Sequence, residues 1–205
     1  MKKNESFLKI FQNQQIMHIN FNTSNAHKQA ELTEFLNSLG WTVSFTGVDL
    51  QEPLADADTV IAFKVSQLPI RTLAEDSALF IEGCDQAGVS IRWFMDSLDT
   101  DTSLIGRQAV FQVRVALMDD TQFGQKVMIW TGEVPGTIQP SMGNSKFGFD
   151  NVFVPDGNPK GFVPYSISKP KELNPRYRAL ASMVNGEQPK IVNPIYEWTG
   201  EWQHE

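Results

Sequence analysis

The sequence predicts one α/β domain built on a mixed β-sheet, and three observations carry this prediction. Met17, Ile19 and Phe21 alternate with polar residues, which indicates a half-buried strand, and a helical pattern follows at once. Residues 111–117 alternate in the same way, and residues 126–138 continue as a hairpin partner across a turn at 119–124. No glycine- or serine-rich linker and no internal repeat divides the chain. A strand–helix start followed by a hairpin predicts both parallel and antiparallel strand pairs.

The first helix is predicted by an apolar stripe at positions i, i+3, i+4 and i+7, which are Leu32, Phe35, Leu36 and Leu39. Ser24 or Asn25 can cap the start of this helix, and Gly40 supplies the residue that ends it. Alternating apolar residues over 41–45 then predict a second strand.

Two further helices are predicted downstream. One places Val60, Ile61 and Lys64 on a shared face. An apolar strand over 78–81 follows it. Near the C-terminus, Asn174 can cap a helix with Pro175 at its first position, ending before Gly186. The predicted buried stripe of this last helix comprises Tyr177, Leu180, Ala181 and Val184.

Composition excludes several classes of protein. The 205 residues are 41% hydrophobic, and no apolar run approaches the ~18 residues of a membrane span. The single cysteine, Cys84, and the three histidines offer neither an internal disulfide nor a zinc cluster. A net charge of −7 without a basic run disfavours nucleic acid but allows a small phosphate ligand held by local cations. We therefore expect a cytoplasmic protein that binds a small molecule, and neither nucleic acid nor a membrane.

The chain divides into three predicted parts: an N-terminal extension over residues 1–15, a domain over 16–186 and a C-terminal extension over 187–205. The first segment contains no apolar stretch of the kind found in a secretory signal. The last segment carries Trp198 and Trp202, two large rings that need a surface to cover.

A phosphate site is predicted where the first strand meets the first helix. The segment Thr23-Ser24-Asn25-Ala26-His27-Lys28 brings free backbone N–H groups, a helix dipole and the Lys28 ammonium to one point. The alternative is an ordinary helix cap beside a solvated lysine.

A divalent cation site is predicted from three carboxylates. Glu52 lies in the loop after the second strand, and Glu75 and Asp76 directly precede the apolar strand at 78–81. Magnesium prefers such oxygen ligands. Lys64 lies on the apolar stripe of its helix, where an ammonium is costly unless an anion meets it. The alternatives are a solvated acidic loop for the carboxylates and an ammonium that reaches out to solvent for Lys64.

A base site is predicted around residues 146–157. Phe149 can stack on a nucleobase and Asp150 can accept backbone N–H bonds, whereas the alternative for Phe149 is a place in the core. Arg176 and Arg178 lie in the first turn of their helix, where cations oppose the dipole, so a ligand or carboxylate partner is expected for one of them.

These segments, taken in order, resemble the inosine triphosphate pyrophosphatase family from about Met17 to Val184. The matching segments are Thr23–Lys28 for T-G-N-x-x-K, Asp49–Glu52 for D-L-x-E, Lys64 for the family lysine, Glu75–Ser77 for the acidic pair and small residue, Arg92-Trp93-Phe94 for a K-W-F-like stretch, Gly132–Ile138 for G-x-x-x-G-x-I, and Phe147–Asp150 for F-G-[WY]-D. Seven motifs in order with near-family spacing identify the chain as similar to this family.

The resemblance implies an elongated, curved mixed β-sheet whose flanking helices form two lobes around a nucleotide cleft, assembled as a homodimer. It implies Mg²⁺-dependent hydrolysis of deaminated purine nucleoside triphosphates to the monophosphate and pyrophosphate. Glu52, Glu75 and Asp76 would hold the metal, Asp76 would accept the proton, and Lys64 would stabilise the leaving pyrophosphate. Substrate binding is implied for Thr23, Ser24, Asn25, Lys28, Ser77, Phe147, Gly148, Phe149, Asp150, Lys171 and Arg176.

The chain departs from the family at the base end of this site. Asn174-Pro175-Arg176 replaces the family S-H-R, so the histidine is absent. The family lysine five residues earlier falls on Pro170, which leaves Lys169 or Lys171 as substitutes. Ser24 replaces the glycine of T-G-N. Two alternatives follow from these changes: a family member with a shifted base specificity, or a nucleotide-binding protein that does not hydrolyse.

Overall fold

The computed structural model describes residues 17–88, 102–141, 148–161 and 169–203. Its strands are β1 (His18–Asn22), β2 (Thr42–Thr46), β3 (Thr72–Ile81), β4 (Cys84–Gly88), β5 (Gln108–Thr121), β6 (Gly124–Ile138), β7 (Phe153–Pro155) and β8 (Lys190–Val192). Its α-helices are α1 (Ala26–Ser38), α2 (Ala57–Ser66) and α3 (Pro175–Val184), and short 3₁₀ helices lie at Thr102–Leu104, Gly148–Asn151 and Lys171–Leu173. Within these residues, no helix is long and apolar enough to cross a membrane.

The strands form one mixed sheet in the order β2-β1-β3-β5-β6-β7, with β4 paired to β3 and β8 paired to β6. Strand β1 runs parallel to β2 and β3, and the other pairs are antiparallel. The β5–β6 hairpin extends from the Gln108–Thr137 pair to the Thr121–Gly124 pair. The predicted mixed sheet is therefore confirmed, and its hairpin turn is tighter than the predicted 119–124.

The helix starts follow the predicted capping residues. The Asn25 side chain accepts bonds from the backbone N–H groups of His27 and Lys28, so Asn25, and not Ser24, caps α1. Asn174 caps α3, with Pro175 in the first turn. Each cap satisfies backbone donors that the first helical turn leaves unpaired.

The helices cover both faces of the sheet. The first core cluster joins α1 and α3 to one face, through Leu32, Phe35 and Leu36 of α1 and Ala179, Leu180 and Met183 of α3. The second cluster joins α2 to the other face, through Ile61, Ala62 and Val65. Because successive strand residues point to opposite faces, Leu73 and Leu79 of β3 belong to the first cluster and Ala74 to the second.

The buried stripe of α3 differs from the prediction. Ala179, Leu180 and Met183 are buried together with Arg176, whereas the predicted members Tyr177, Ala181 and Val184 are half-buried. The buried face is therefore rotated by about one residue from the predicted one. An arginine can occupy this face because its guanidinium has carboxylate partners there.

Glu75 and Asp76 also differ in position from the prediction. They lie inside β3, which begins at Thr72, and not in a loop before the strand. The apolar run at 78–81 is only the second half of this strand. Charged residues are possible in the middle of β3 because each carboxylate meets a cation.

Two glycines of β6 allow other segments of the chain to pack closely on this strand. A Cβ at Gly132 would lie 2.0 Å from the carbonyl oxygen of Pro175, the first residue of α3. A Cβ at Gly136 would lie 2.3 Å from the carbonyl oxygen of Val154 in β7. The G-x-x-x-G spacing therefore permits α3 and β7 to pack directly on one strand.

The predicted C-terminal extension joins the body of the protein. Its β8 pairs with β6 through Met128 and Ile191. Its end returns to α2, where the rings of Trp202 and Phe63 lie edge to face at 5.6 Å. Trp202 thus has the covering role that its size predicted.

Candidate active site

The candidate site lies at a gap along one edge of β3. Strand β1 pairs with β3 as far as Ala74, and β4 pairs with it from Leu79 onward. Both lie on the edge opposite β5, which pairs continuously with residues 74–81. Glu75, Asp76 and Ser77 therefore lie at a gap in strand pairing just beyond the carboxyl end of β1. Ligands of α/β proteins bind at such carboxyl ends.

The loop from β1 to α1 lies beside this gap in the pairing of β3. The Oγ1 atom of Thr23 accepts a bond from the backbone N–H of Asn25 at 3.2 Å, and Ser24 is exposed. The Lys28 Nζ lies 2.6 Å from Oε1 of Glu75. The predicted phosphate loop and the acidic pair are thus brought together.

Lys64 joins the other acidic residues into what we call the Lys64 triad: Lys64, Glu52 and Asp76. Its Nζ donates to Oε1 of Glu52 at 2.7 Å and to Oδ1 of Asp76 at 2.9 Å. The side chains of Lys64 and Asp76 are each 12% exposed, and that of Glu52 is 29% exposed. The triad is therefore screened by protein yet open to solvent on one side.

Burial and charge shift the acidity of this triad in a useful direction. Burial alone would lower the pKa of Lys64, but the carboxylates of Asp76 and Glu52 outweigh it and raise that pKa. Burial raises the pKa of Asp76, and this effect exceeds the attraction of Lys64, which Glu52 partly offsets. One ammonium shared between two carboxylates leaves Asp76 more basic than an ordinary aspartate.

A second cluster, the six-residue ion network, lies on the α1/α3 face of β3. Its members are Lys28, Glu31, Glu75, Asp150, Lys169 and Arg176. Arg176 is at its centre: Nε and Nη2 donate to the two oxygens of Glu75, and Nη1 donates to Glu31. Such a two-pronged contact fixes the guanidinium plane. The carboxylate partner expected for a first-turn arginine is therefore confirmed for Arg176.

The network makes the carboxyl of Glu75 more acidic and the guanidinium of Arg176 less acidic. Burial would raise the pKa of Glu75, but Arg176 and Lys28 outweigh it and hold that pKa at about 2. Burial alone would lower the pKa of Arg176, but the carboxylates of Glu75 and Glu31 outweigh it and raise that pKa. Both groups therefore remain charged at neutral pH.

Lys169 and Asp150 form the far end of this network. The Lys169 Nζ lies 3.0 Å from Oδ2 of Asp150 and 3.6 Å from Oε1 of Glu31. Burial raises the pKa of Asp150, and the attraction of Lys169 only partly offsets this. Asp150 is thus bound to an ammonium, and its predicted bonds to backbone donors stay a prediction.

The predicted metal ligands divide between these two clusters. Asp76 faces α2 with Lys64, whereas Glu75 faces α1 and α3, because adjacent strand residues point to opposite faces. Among the described residues, no group of three or more His, Cys, Asp or Glu is arranged to hold a metal ion. Glu52 and Asp76 converge on the Lys64 ammonium, whereas Glu75 is bound to Arg176 and Lys28.

Phe149 occupies the core alternative and not an open stacking surface. Its ring is 6% exposed and meets the rings of Phe111 and Phe153 edge to face at 4.6 and 6.4 Å. Gly148 opens the 3₁₀ helix that carries Phe149 and Asp150. Phe147, also predicted to bind substrate, lies outside the described residues.

The structure distinguishes between the two candidate lysines. Lys171 is exposed and lies over the Tyr177 ring at 5.2 Å, away from the ion network. Lys169 is the buried one. Substrate binding by Lys171 stays a prediction, and Lys169 lies in the ion network beside Asp150.

Sequence reasoning missed Glu31 as a site residue. Glu31 precedes Leu32 and is four residues before Phe35, so it lies at the edge of the apolar stripe of α1, where it is buried. A carboxylate on an apolar helical face requires a cationic partner, and this was the available signal.

Ser77 has an unusual environment. Its Oγ is buried and has no hydrogen-bond partner among the described residues. A buried hydroxyl without a partner is costly. Its place beside Asp76 at the gap agrees with the predicted contact to a ligand.

Comparison with known proteins gives one family and several relatives. The model of the Ham1 family matches residues 19–186. An inosine triphosphate pyrophosphatase of Yarrowia lipolytica is 27% identical over 185 residues, which cover 82% of this chain and 94% of the relative. A dITP/XTP pyrophosphatase of Tropheryma whipplei is 28% identical over 186 residues, which cover 82% and 93%.

The fold is likewise similar to a solved structure. The Staphylococcus aureus Ham1 protein superimposes with a TM-score of 0.60 at 16% identity, covering 82% of this chain and 97% of that chain. This likeness establishes the fold and confirms the architecture that the motifs predicted.

Proposed function

Since this chain belongs to the Ham1 family, we propose that it is a nucleoside triphosphate pyrophosphatase that acts on deaminated purine nucleotides such as ITP, dITP and XTP. The names of its relatives support this activity. Within the chain, one observation carries it: the Lys64 triad lies at the gap of β3, with the start of α1 on the other side.

The proposed reaction is hydrolysis at the α-phosphorus. The oxygen of water forms a bond to this phosphorus, and the bond to the oxygen that bridges to the β-phosphate breaks. Pyrophosphate leaves and the nucleoside monophosphate remains. Asp76 accepts the proton of the attacking water, and its raised pKa makes it a stronger proton acceptor than an ordinary aspartate.

The cations of the site bind the charged end of the substrate. Lys64 and Lys28 offer ammonium groups, and the first turn of α1 offers backbone N–H groups and the positive end of its dipole. Charge that develops on the leaving pyrophosphate is stabilised by these groups. Lys28 is 23% exposed, so a phosphate can approach it from solvent.

Magnesium is part of this proposal. Glu52 and Asp76 would hold it, because two carboxylates around one ammonium leave an excess of negative charge that a divalent cation can neutralise. When bound, it would neutralise phosphate charge and polarise the phosphoryl oxygens. We also propose, from the resemblance, that the protein acts as a cytoplasmic homodimer.

A second candidate is the same hydrolysis with a shifted base specificity. Arg176, for which the resemblance implies substrate binding, is bound to Glu75 and Glu31, and Pro175 stands where the family has histidine. Lys169, which is bound to Asp150, is the nearest remaining cation of this end. The base would then be recognised by a different set of donors.

The test is pyrophosphate release with Mg²⁺ from inosine, xanthosine, guanosine, adenosine, uridine and deoxyuridine triphosphates. Fastest release from the inosine and xanthosine compounds, lost in Asp76→Asn, supports the first proposal. Fastest release from another base supports the second. Nucleotide binding without release from any compound contradicts both and points to a binding protein.

A further inference from the structure

We propose that the end of the chain positions Glu52 for turnover. The segment concerned, which we call the C-terminal strap, comprises residues 195–203. It crosses α2 and ends on the loop between β2 and α2, which carries Glu52. The proposal rests on the proposed function in one respect, since it takes Glu52 to act in hydrolysis.

The strap supplies backbone hydrogen bonds to the Glu52 loop. The N–H of Gln203 donates to the carbonyl of Glu52 at 3.0 Å, and the N–H of Leu54 donates to the carbonyl of Glu201 at 2.9 Å. The Gln203 side chain donates to the carbonyl of Pro53 at 3.1 Å. Pro53 and Trp202 form an antiparallel bridge. Three consecutive loop residues, 52 to 54, are thus bound as a short strand pair.

The strap also contacts the helix that carries the lysine. The Trp202 ring packs edge to face on Phe63, the neighbour of Lys64 in α2. Further upstream, the N–H of Ile195 donates to the Oγ of Ser66 at 2.9 Å. The strap therefore connects the backbone of one triad member to the helix of another.

The start of the strap is held by the sheet. It follows β8, which pairs with β6 through three residue pairs. These contacts lie away from the Glu52 loop. One end of the strap is thus fixed independently of the site, so the other end can restrain a loop.

The loop needs such a restraint. Residues 47–51 lie between β2 and the Pro53 bridge without regular secondary structure, and most of them are exposed. Glu52 reaches Lys64 with a side chain that is 29% exposed. A loop that loses its backbone bonds gains conformational freedom, and a small displacement of a catalytic group can cost about 10²-fold in rate. Trp202 and Gln203 are accordingly positioning residues.

The test uses the full chain with Trp202→Ala, its conservative variant Trp202→Phe, and Tyr196→Ala as a matched control. Tyr196→Ala removes an aromatic ring of the strap that does not touch the Glu52 loop. Two quantities are measured: backbone hydrogen exchange of residues 50–56, and kcat and KM for pyrophosphate release from the best nucleotide. The urea midpoint of each variant reports global stability.

The expected result is specific to positioning. Trp202→Ala raises exchange at the Leu54 amide about tenfold or more and lowers kcat about 10–100-fold, while KM stays within about twofold because the α1 loop is untouched. Trp202→Phe restores both quantities. Tyr196→Ala changes neither. Unchanged exchange at Leu54, or faster exchange with an unchanged kcat, would overturn the proposal.

A second variant pair guards against a general loss of folding. Gln203→Pro removes the N–H that donates to Glu52, whereas Gln203→Ala keeps it. Gln203→Pro should lower kcat more than Gln203→Ala does, and equal kcat values for the two variants would contradict the proposal. If the unaltered protein releases no pyrophosphate from any nucleotide, the proposed function fails, and the exchange data alone decide whether the strap holds the loop.

Discussion

The two faces of β3 carry similar residues with different consequences. On the α1/α3 face, the six-residue ion network balances three cations against three carboxylates, and most of its side chains are almost fully buried. On the α2 face, the Lys64 triad sets one cation against two carboxylates and remains partly exposed. The balanced cluster holds elements together. The Lys64 triad has one carboxylate more than it has cations and therefore carries a net negative charge.

This difference follows from electrostatics. A buried charge is tolerated only where partners compensate its lost hydration, so a closed cluster must come close to neutrality. A partly exposed cluster can keep an excess charge until a cation or substrate arrives. Excess negative charge attracts a cation, and a raised Asp76 pKa favours the role of general base.

The largest expected effect comes from breaking the triad. Asp76→Asn retains the shape of the side chain but removes the proton acceptor, so we expect kcat to fall about 10²–10⁴-fold. The urea midpoint should stay close to that of the unaltered protein. Near-normal turnover would exclude Asp76 as the base.

Breaking the network should instead affect stability. Arg176→Met leaves Glu75 and Glu31 buried without their shared partner, and we expect the free energy of unfolding to fall by about 3–5 kcal/mol. Arg178→Met is the matched control, because Arg178 is exposed and bonds to backbone carbonyls. A small effect of Arg176→Met, similar to that of the control, would contradict the structural role of the network.

The two clusters should also differ in acid. Glu75 has a pKa of about 2 in the folded protein against a usual 4.5, so its stabilisation is present above 4.5 and is lost as the pH falls towards 2. The shift corresponds to roughly 3 kcal/mol. Urea unfolding between pH 7 and pH 3 should therefore show a shallower loss for Glu75→Gln.

Asp76 should have the opposite sign, which sharpens the comparison. Its pKa is raised by folding, so the folded protein takes up this proton first and gains stability as the pH falls. Asp76→Asn removes that gain and should steepen the acid-side loss in the same titration. Parallel curves for the two variants would refute the assignment of opposite roles.

The smallest effect is expected at Lys171. Lys171 is exposed and its ammonium lies over the ring of Tyr177, so Lys171→Ala should change the free energy of unfolding by about 0.5 kcal/mol or less. KM for the best nucleotide should be unchanged. A several-fold rise in KM would restore the substrate-binding role that the sequence suggested.

Local signals predicted the frame of the fold well. Asn25, Asn174 and Pro175 act as their types predict, because capping depends on a few neighbouring backbone groups. The β5–β6 hairpin also follows from local alternation. The meeting of Lys28 with Glu75, and of Lys64 with Asp76, agrees with the motif order.

Long-range pairing limited the prediction of the site. The sequence prediction places Glu75 and Asp76 before a strand, because charges in the middle of a strand are unusual. Their partners in the structure, Arg176 and Lys64, lie 101 and 12 residues away along the chain. For Phe149 the sequence leaves both a base-stacking position and a core position open, and the structure places the ring in the core against Phe111. The contact between Glu31 and Lys169 joins distant parts of the chain, and no local pattern in the sequence predicts it.

The close packing at Gly132 and Gly136 has a consequence for how α3 and β7 are spaced from β6. The two positions are four residues apart on one strand, about 13 Å, and each brings a different chain segment to its final distance. The absence of a side chain at each position thus determines how closely α3 and β7 approach β6. Because the nearest atom at each position is a backbone carbonyl oxygen, the spacing of α3 and β7 from β6 is set separately from the charges of the ion network.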